Sequence, residues 1–273
     1  MTIVLAAVDA RPSAKPVLRT AVAIAALFEA RVVALHVREN GIAGAEKAAS
    51  AACTELRVLR GTPVDQIIAV AENREVAALV LGARGARGGP EPAGHTALEV
   101  ITHVPKPVVV VPPHARPAEE LARILVPLDG SPESSRALET TIELAHRQRL
   151  EILVLHIYTP TTVPAFADHE PHATSAWDQE FLRRHIATPH ERVTLLHRLG
   201  VPADDITNVA HESGADIVVL AWSQKLLKGR AEVVCEMLAR SSIPVLLLPV
   251  FARHRGTQRS RATPYIATQG FSA

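Results

Sequence analysis

Ile3-Val4-Leu5-Ala6-Ala7-Val8-Asp9, near the start of the chain, and Ile124-Leu125-Val126-Pro127-Leu128-Asp129, in its middle, decide the fold. Each is a short apolar run ending in an aspartate, and the two aspartates stand 120 positions apart. The same separation relates His36-Val37 to His156-Ile157, which close the runs Arg31-Val32-Val33-Ala34-Leu35 and Glu151-Ile152-Leu153-Val154-Leu155. Farther on the separation widens to 139, because the later copy carries a longer insertion: Gly61-Thr62-Pro63-Val64-Asp65 answers to Gly200-Val201-Pro202-Ala203-Asp204, and Ala78-Leu79-Val80-Leu81 to Ile217-Val218-Val219-Leu220. The copies also end alike, Pro107-Val108-Val109-Val110-Val111-Pro112 against Pro244-Val245-Leu246-Leu247-Leu248-Pro249. Order, spacing and chemistry recur together, which marks an internal repeat.

Each copy reads as strand, helix, strand, linker, strand, helix, strand, helix, strand. The apolar runs lack polar alternation, as strands buried on both faces of a parallel sheet do. Helix starts are marked as well. Ser131-Pro132-Glu133 supplies an N-cap, a proline at the first helical position and an early acid, with Ala137, Leu138, Ile142 and Ala145 following at helical spacing. The pattern predicts an α/β protein of two tandem, doubly wound, Rossmann-like parallel-sheet domains. The first is expected over residues 1–115 and the second over 118–250, divided at the proline-rich Pro112-Pro113-His114-Ala115-Arg116-Pro117. Residues 253–273, with Arg253, Arg255, Arg259 and Arg261, read as a flexible basic tail. The closing strands, Val108 to Val111 and Val245 to Leu248, are expected to pair across the halves, since edges so apolar need covering.

Composition excludes several classes. Lys+Arg is 29 against 28 Asp+Glu, a net charge of +1, so no basic surface for nucleic acid is indicated. Aromatics at 3% argue against a base-stacking platform. The apolar start lacks a basic n-region and meets Asp9 early, which reads as a buried strand rather than a signal peptide. No apolar stretch is long enough for a membrane span, and a cytoplasmic protein is expected. Cys53 and Cys235 lie in different copies and read as buried free thiols.

In open parallel sheets ligands bind beyond the carboxyl ends of the strands. In the first copy Asp9 ends the first strand, and Gly82-Ala83-Arg84-Gly85 follows the strand Leu79-Val80-Leu81, with Gly94-His95-Thr96 opening a helix. Glycines let backbone amides approach an anion, and a helix N-terminus adds partial positive charge. Here the chain resembles the universal stress proteins, in its Val-Asp start, its Leu-His-Val second strand, the Gly-x-Pro after the third and the terminal Pro-Val-Val-Val-Val. The resemblance covers nearly the whole chain apart from the tail. ATP-binding members of that family carry Gly-x2-Gly-x9-Gly-Ser/Thr after the fourth strand. The resemblance implies that Val8, Asp9 and Val37 border adenine and ribose. It implies that Gly82, Arg84 and Gly85 form a first phosphate turn, and Gly94, His95 and Thr96 a second. It further implies ATP or another adenine nucleotide as ligand, Mg2+ accompanying ATP, a stress-response or regulatory role, and a homodimer. Two departures stand out. Eight residues rather than nine separate Gly85 from Gly94, and His95 takes the place of Ser or Thr. Pro90 and Pro92 alter the loop further.

The second copy keeps Asp129-Gly130-Ser131 but not the loop. Gly82 and Gly85 become Ala221 and Gln224, Gly94-His95 becomes Ala231-Glu232, and Trp222 is bulky enough to fill the adenine side. No nucleotide is expected there. The insertion carries His169, His172, His185 and His190 beside Asp168 and Glu170, broken by Pro171 and Pro189, and reads as a solvated loop rather than a zinc site. No metal ligand and no catalytic residue is assigned. Two alternatives to a nucleotide-binding regulator remain open from the residues: a weak ATP hydrolase, and an interaction module whose sites are degenerate in both copies.

Overall fold

Each Val/Ile/Leu run of the repeat is a strand with both faces covered. The computed structural model describes residues 2–38, 41–84, 91–113, 115, 117–158, 171–186, 192–226 and 231–250, with the backbone alone at 133 and 171–175. The first half runs β1 (Ile3–Ala7), α1 (Ala14–Leu27), β2 (Arg31–Arg38), α2 (Ala43–Ala51), β3 (Glu55–Arg60), α3 (Pro63–Ala71), β4 (Val76–Gly82), α4 (His95–His103) and β5 (Val108–Val111). The second runs β6 (Arg123–Pro127), α5 (Pro132–Arg147), β7 (Glu151–Tyr158), α6 (Pro171–His185), β8 (Val193–Leu199), α7 (Pro202–Glu212), β9 (Ile217–Trp222), α8 (Glu232–Arg240) and β10 (Val245–Pro249).

The strands form one ten-stranded sheet in the order β3-β2-β1-β4-β5-β10-β9-β6-β7-β8. Within each half every pairing is parallel. At the centre β5 meets β10 antiparallel, with Val109 opposite Leu246. The order reads the same outward from that joint on either side, so the halves are pseudo-symmetric although the sheet is continuous. The antiparallel joint also turns the carboxyl ends of the two sets of strands toward opposite edges of the sheet.

β1 shows why the runs carry no polar alternation. Ile3 and Leu5 enter the layer that holds α3, α4, α7 and α8, while Val4 and Ala6 enter the layer that holds α1 and α5. All four are at most 1% exposed. Both layers cross the central joint, through Val110 and Val245 in one and Val109 and Leu246 in the other.

Local chemistry sets the element ends. Ser131 caps α5, its hydroxyl accepting from the Ser134 amide at 3.2 Å, with Pro132 at the first helical position. The linker between β2 and β3 holds α2, a short helix of nine residues whose buried side chains are alanines. Two expectations need correction. The insertion of the second copy holds the helix α6, and Pro171 opens that helix instead of breaking the segment, since a proline lacks only an amide that the first turn leaves unpaired. Cys53 is an exposed thiol, not a buried one. It stands just past α2 at φ 50°, where the chain turns away from the helix and the side chain faces water. Cys235 is half-buried, and both are free. The tail, residues 253–273, lies outside the described residues. No helix among the described residues is long and apolar enough to cross a membrane.

Candidate functional site

The carboxyl ends of β1, β2 and β4 open into a cleft of about 900 Å3, within the size range of small-molecule sites. The residues singled out from sequence meet here. Val8, Asp9, Val37, Gly82, Arg84, Gly94, His95 and Thr96 all line this one cleft. Gly85 lies outside the described residues, as do residues 86–90.

Asp9 is held by its own loop. Its Oδ1 accepts from the Arg11 amide at 3.1 Å, and the Ser13 hydroxyl donates to Oδ1 and Oδ2 at 2.8 and 3.0 Å. This fixes the carboxylate at the strand end while leaving lone pairs on both oxygens. Val8 donates its amide to the Leu35 carbonyl at 2.9 Å and accepts at its own carbonyl from His36 Nδ1, also at 2.9 Å. Because a carbonyl can only accept, the His36 proton sits on Nδ1. Val37 and Ile67 are buried and give the cleft an apolar wall.

The other end of the cleft is built for negative charge. α4 begins with Gly94 in extended conformation and no side chain among the described residues caps its first turn, which leaves amide donors facing the cleft. The Gly94 amide donates to Ala83 O at 2.7 Å, and Arg84 Nη2 to Glu91 O at 2.6 Å, closing the turn between β4 and α4. Arg11 adds a second guanidinium to the lining, beside that of Arg84 and the imidazole of His95. Sequence reasoning missed Arg11, Ser13, Gly44 and Ile67. Ser13 could have been found as the N-cap of α1 in the run Asp9-Ala10-Arg11-Pro12-Ser13. Gly44 had no local signal, since its role is set by the loop it rests on.

The second half repeats the frame with other side chains beside it. His156 Nδ1 donates to the Leu128 carbonyl at 2.8 Å, the counterpart of the His36–Val8 bond. Above it, however, α6 presents Trp177 and Phe181, whose rings lie 5.9 and 4.8 Å from the His156 ring. Tyr158 stacks on His197 at 5.6 Å, and Asp178 binds His197 Nε2 at 2.6 Å. His185 packs on Phe181 and pairs through Nδ1 with the Ser135 hydroxyl at 2.8 Å. So His185, expected in a solvated loop, belongs to a packed cluster on α6, because the helix turns it toward α5; His169, His172 and His190 lie outside the described side chains. Trp222 is 5% exposed and packs in the core layer of α7 and α8. No group of three or more His, Cys, Asp or Glu among the described residues could hold a metal ion.

Burial holds the pKa of His156 below the usual histidine range, against the opposing pull of the Leu128 carbonyl. Burial, then the neighbouring His156, lowers that of His185. Tyr158 is pushed up to about 12 by burial, then by Asp178. The folded state therefore keeps both rings neutral at pH values where an unfolded histidine, with a pKa of about 6.5, takes a proton. Their contribution to stability is present above that value and is lost as pH falls toward their lowered folded pKa. Urea midpoints should drop between about pH 7.5 and about pH 5.5, and His156→Gln should flatten that slope. An identical slope in the variant would show that the cluster does not carry the effect.

The fold and this cleft define a class: a pseudo-symmetric tandem α/β protein with an open strand-end cleft in its first half and an aromatic cluster at the matching strand ends of its second. The comparisons then name the family. The model of the universal stress protein family matches residues 40–112 and 120–249, most of the chain, so the chain belongs to that family. Universal stress protein Rv1996 of Mycobacterium tuberculosis is 36% identical over 90 residues, a stretch covering 32% of this chain and 28% of that relative. A universal stress protein from Archaeoglobus fulgidus DSM 4304 superposes with a TM-score of 0.63 at 16% identity, over 91% of this chain and 98% of that one. A putative universal stress protein from Pseudomonas aeruginosa UCBPP-PA14 gives 0.61 at 14% identity, over 91% and 92%.

Proposed function

We propose that this universal stress protein binds one adenine nucleotide per chain, in the cleft of its first half, and that the second half carries none. The observation that supports this is the convergence of an apolar wall, a held carboxylate and an uncapped helix start on one cleft. In this reading the adenosine lies against Val8, Asp9 and Val37. The phosphates lie toward Gly82, Arg84, Gly94, His95 and Thr96, with Gly85 completing the turn, and Arg11 neutralises charge at the mouth. Mg2+ would accompany ATP as part of the ligand. In the second half Trp177 and Phe181 pack beside His156, and Glu232 stands at the helix position held by His95 in the first. A carboxylate at that position repels phosphate.

The role is regulatory: occupancy of the cleft reports adenine nucleotide, and the chain acts through its surfaces, in the cytoplasm and as a homodimer. Hydrolysis is not part of the reading.

Calorimetry with ATP, ADP, AMP and adenosine tests the proposal. One site per chain is expected. Asp9→Ala should weaken binding roughly tenfold, the loss of a charge-assisted hydrogen bond of more than ~1 kcal/mol. Binding unchanged in Asp9→Ala but lost in Asp129→Ala would move the ligand to the other half and refute the assignment.

A further inference from the structure

Gln224 stands two residues beyond β9, at the position that the repeat equates with Gly85 of the first half. It keeps a left-handed backbone, φ 57°, which carries a steric cost for any residue with a Cβ. Its side chain does not face its own half. Gln224 Nε2 donates to the Val104 carbonyl at 2.8 Å and to the Ile101 carbonyl at 3.3 Å. Both partners are acceptors only, so the chemistry sets the amide orientation. They belong to the last turn of α4, where backbone carbonyls have no partner within the helix. At the opposite end of the same nine-residue helix, His95, Thr96 and Ala97 line the cleft. The loop before α4 also approaches the second half: Glu91 lies near enough to Cys235 of α8 for its charge, after burial, to raise the thiol pKa.

We infer that Gln224 is a positioning residue through which the second half, having lost its anion loop, clasps α4 and sets the seat of the helix start that faces the first-half cleft. α4 spans about 13 Å, and a helix so short moves as one rod, so the grip at Ile101 and Val104 bears on the amides at its beginning. The clasp stands on geometry alone. Its consequence for ligand rests on the nucleotide reading above, and it should touch phosphate binding rather than adenosine binding, because the α4 start lies at the end of the cleft that offers amide donors.

Two variants test it, each in the full chain. Gln224→Gly removes both hydrogen bonds and relieves the left-handed strain, which keeps the fold. Gln224→Glu sets a carboxylate against two carbonyls. Amide hydrogen exchange over residues 95–105 should speed up roughly tenfold in Gln224→Gly, the loss of one to two hydrogen bonds, and more in Gln224→Glu. Calorimetry should show ATP affinity falling several-fold in both while adenosine affinity holds. Unchanged exchange in α4 would overturn the clasp, whatever the binding result. Equal losses for ATP and adenosine would overturn the positioning role. If the wild-type chain takes neither ligand, the nucleotide reading fails by itself, and faster exchange in α4 would still support the clasp.

Discussion

Gly44→Ala is expected to destabilise the protein by about 1–3 kcal/mol and to weaken nucleotide binding tenfold or more. The reason is local and severe. A Cβ built on Gly44 would fall 1.8 Å from the Ala10 carbonyl oxygen, 2.5 Å from its carbon and 3.1 Å from its Cα. All three are backbone atoms, so no side chain can swing aside, and either α2 or the loop after β1 must retreat. That loop is Asp9-Ala10-Arg11, and all three residues line the cleft together with Gly44. Displacing it also strains the bonds that hold the Asp9 carboxylate, from the Arg11 amide and the Ser13 hydroxyl. A thermal melt measures the first effect and calorimetry with ATP the second. Gly82→Ala is the control for the thermal melt alone, because its Cβ would meet Arg84 O and Val17 Cγ2 at an ordinary 3.7 Å. A Gly44→Ala protein as stable and as tight-binding as wild type would show that the contact is relieved at no cost.

Leu246→Ala is expected to lower stability by about 2–5 kcal/mol, the range for truncating a buried leucine. Leu246 is fully buried at the centre of the sheet, opposite Val109 across the antiparallel joint and beside Val219 in β9. Its neighbours are β-branched side chains locked between two helical layers, which collapse poorly into a void. Because both core layers cross β5 and β10, the loss should be felt by the two halves together. Urea unfolding followed by tryptophan fluorescence and by circular dichroism should shift to a lower midpoint as one transition. Two separated transitions, with the first half unaffected, would show that the joint is not a shared core.

Much of the fold was legible because strands covered on both faces need apolar residues at every position, so they stand out as unbroken runs. The repeat then doubled each signal: β1 and β6, or β4 and β9, could be read against each other. The pairing of β5 with β10 followed from the same physics, since Val108 to Val111 could not face water. α2 was hidden by its composition. Gly41-Ile42-Ala43-Gly44-Ala45 carries little periodic signal, and alanines suffice only because the helix packs close. α6 was hidden behind Pro171, which breaks a helix interior but suits its first turn.

The candidate site divides in the same way. Sequence by itself determined the repeat, the α/β class, the position of Asp9 at a strand end, and the replacement of Gly82, Gly85 and His95 by Ala221, Gln224 and Glu232 in the second copy. Those are properties of single positions and short spacings. Tertiary structure alone decided that Gly44 rests on the Ala10 carbonyl, that Trp177 and Phe181 pack beside His156 while alanines stand in the matching helix of the first half, and that Gln224 grips α4 across the joint. Each depends on which helix packs over which strand end and on the antiparallel meeting of two parallel half-sheets. Close packing brings residues far apart in the chain to within a few ångströms, and no local periodicity records that distance.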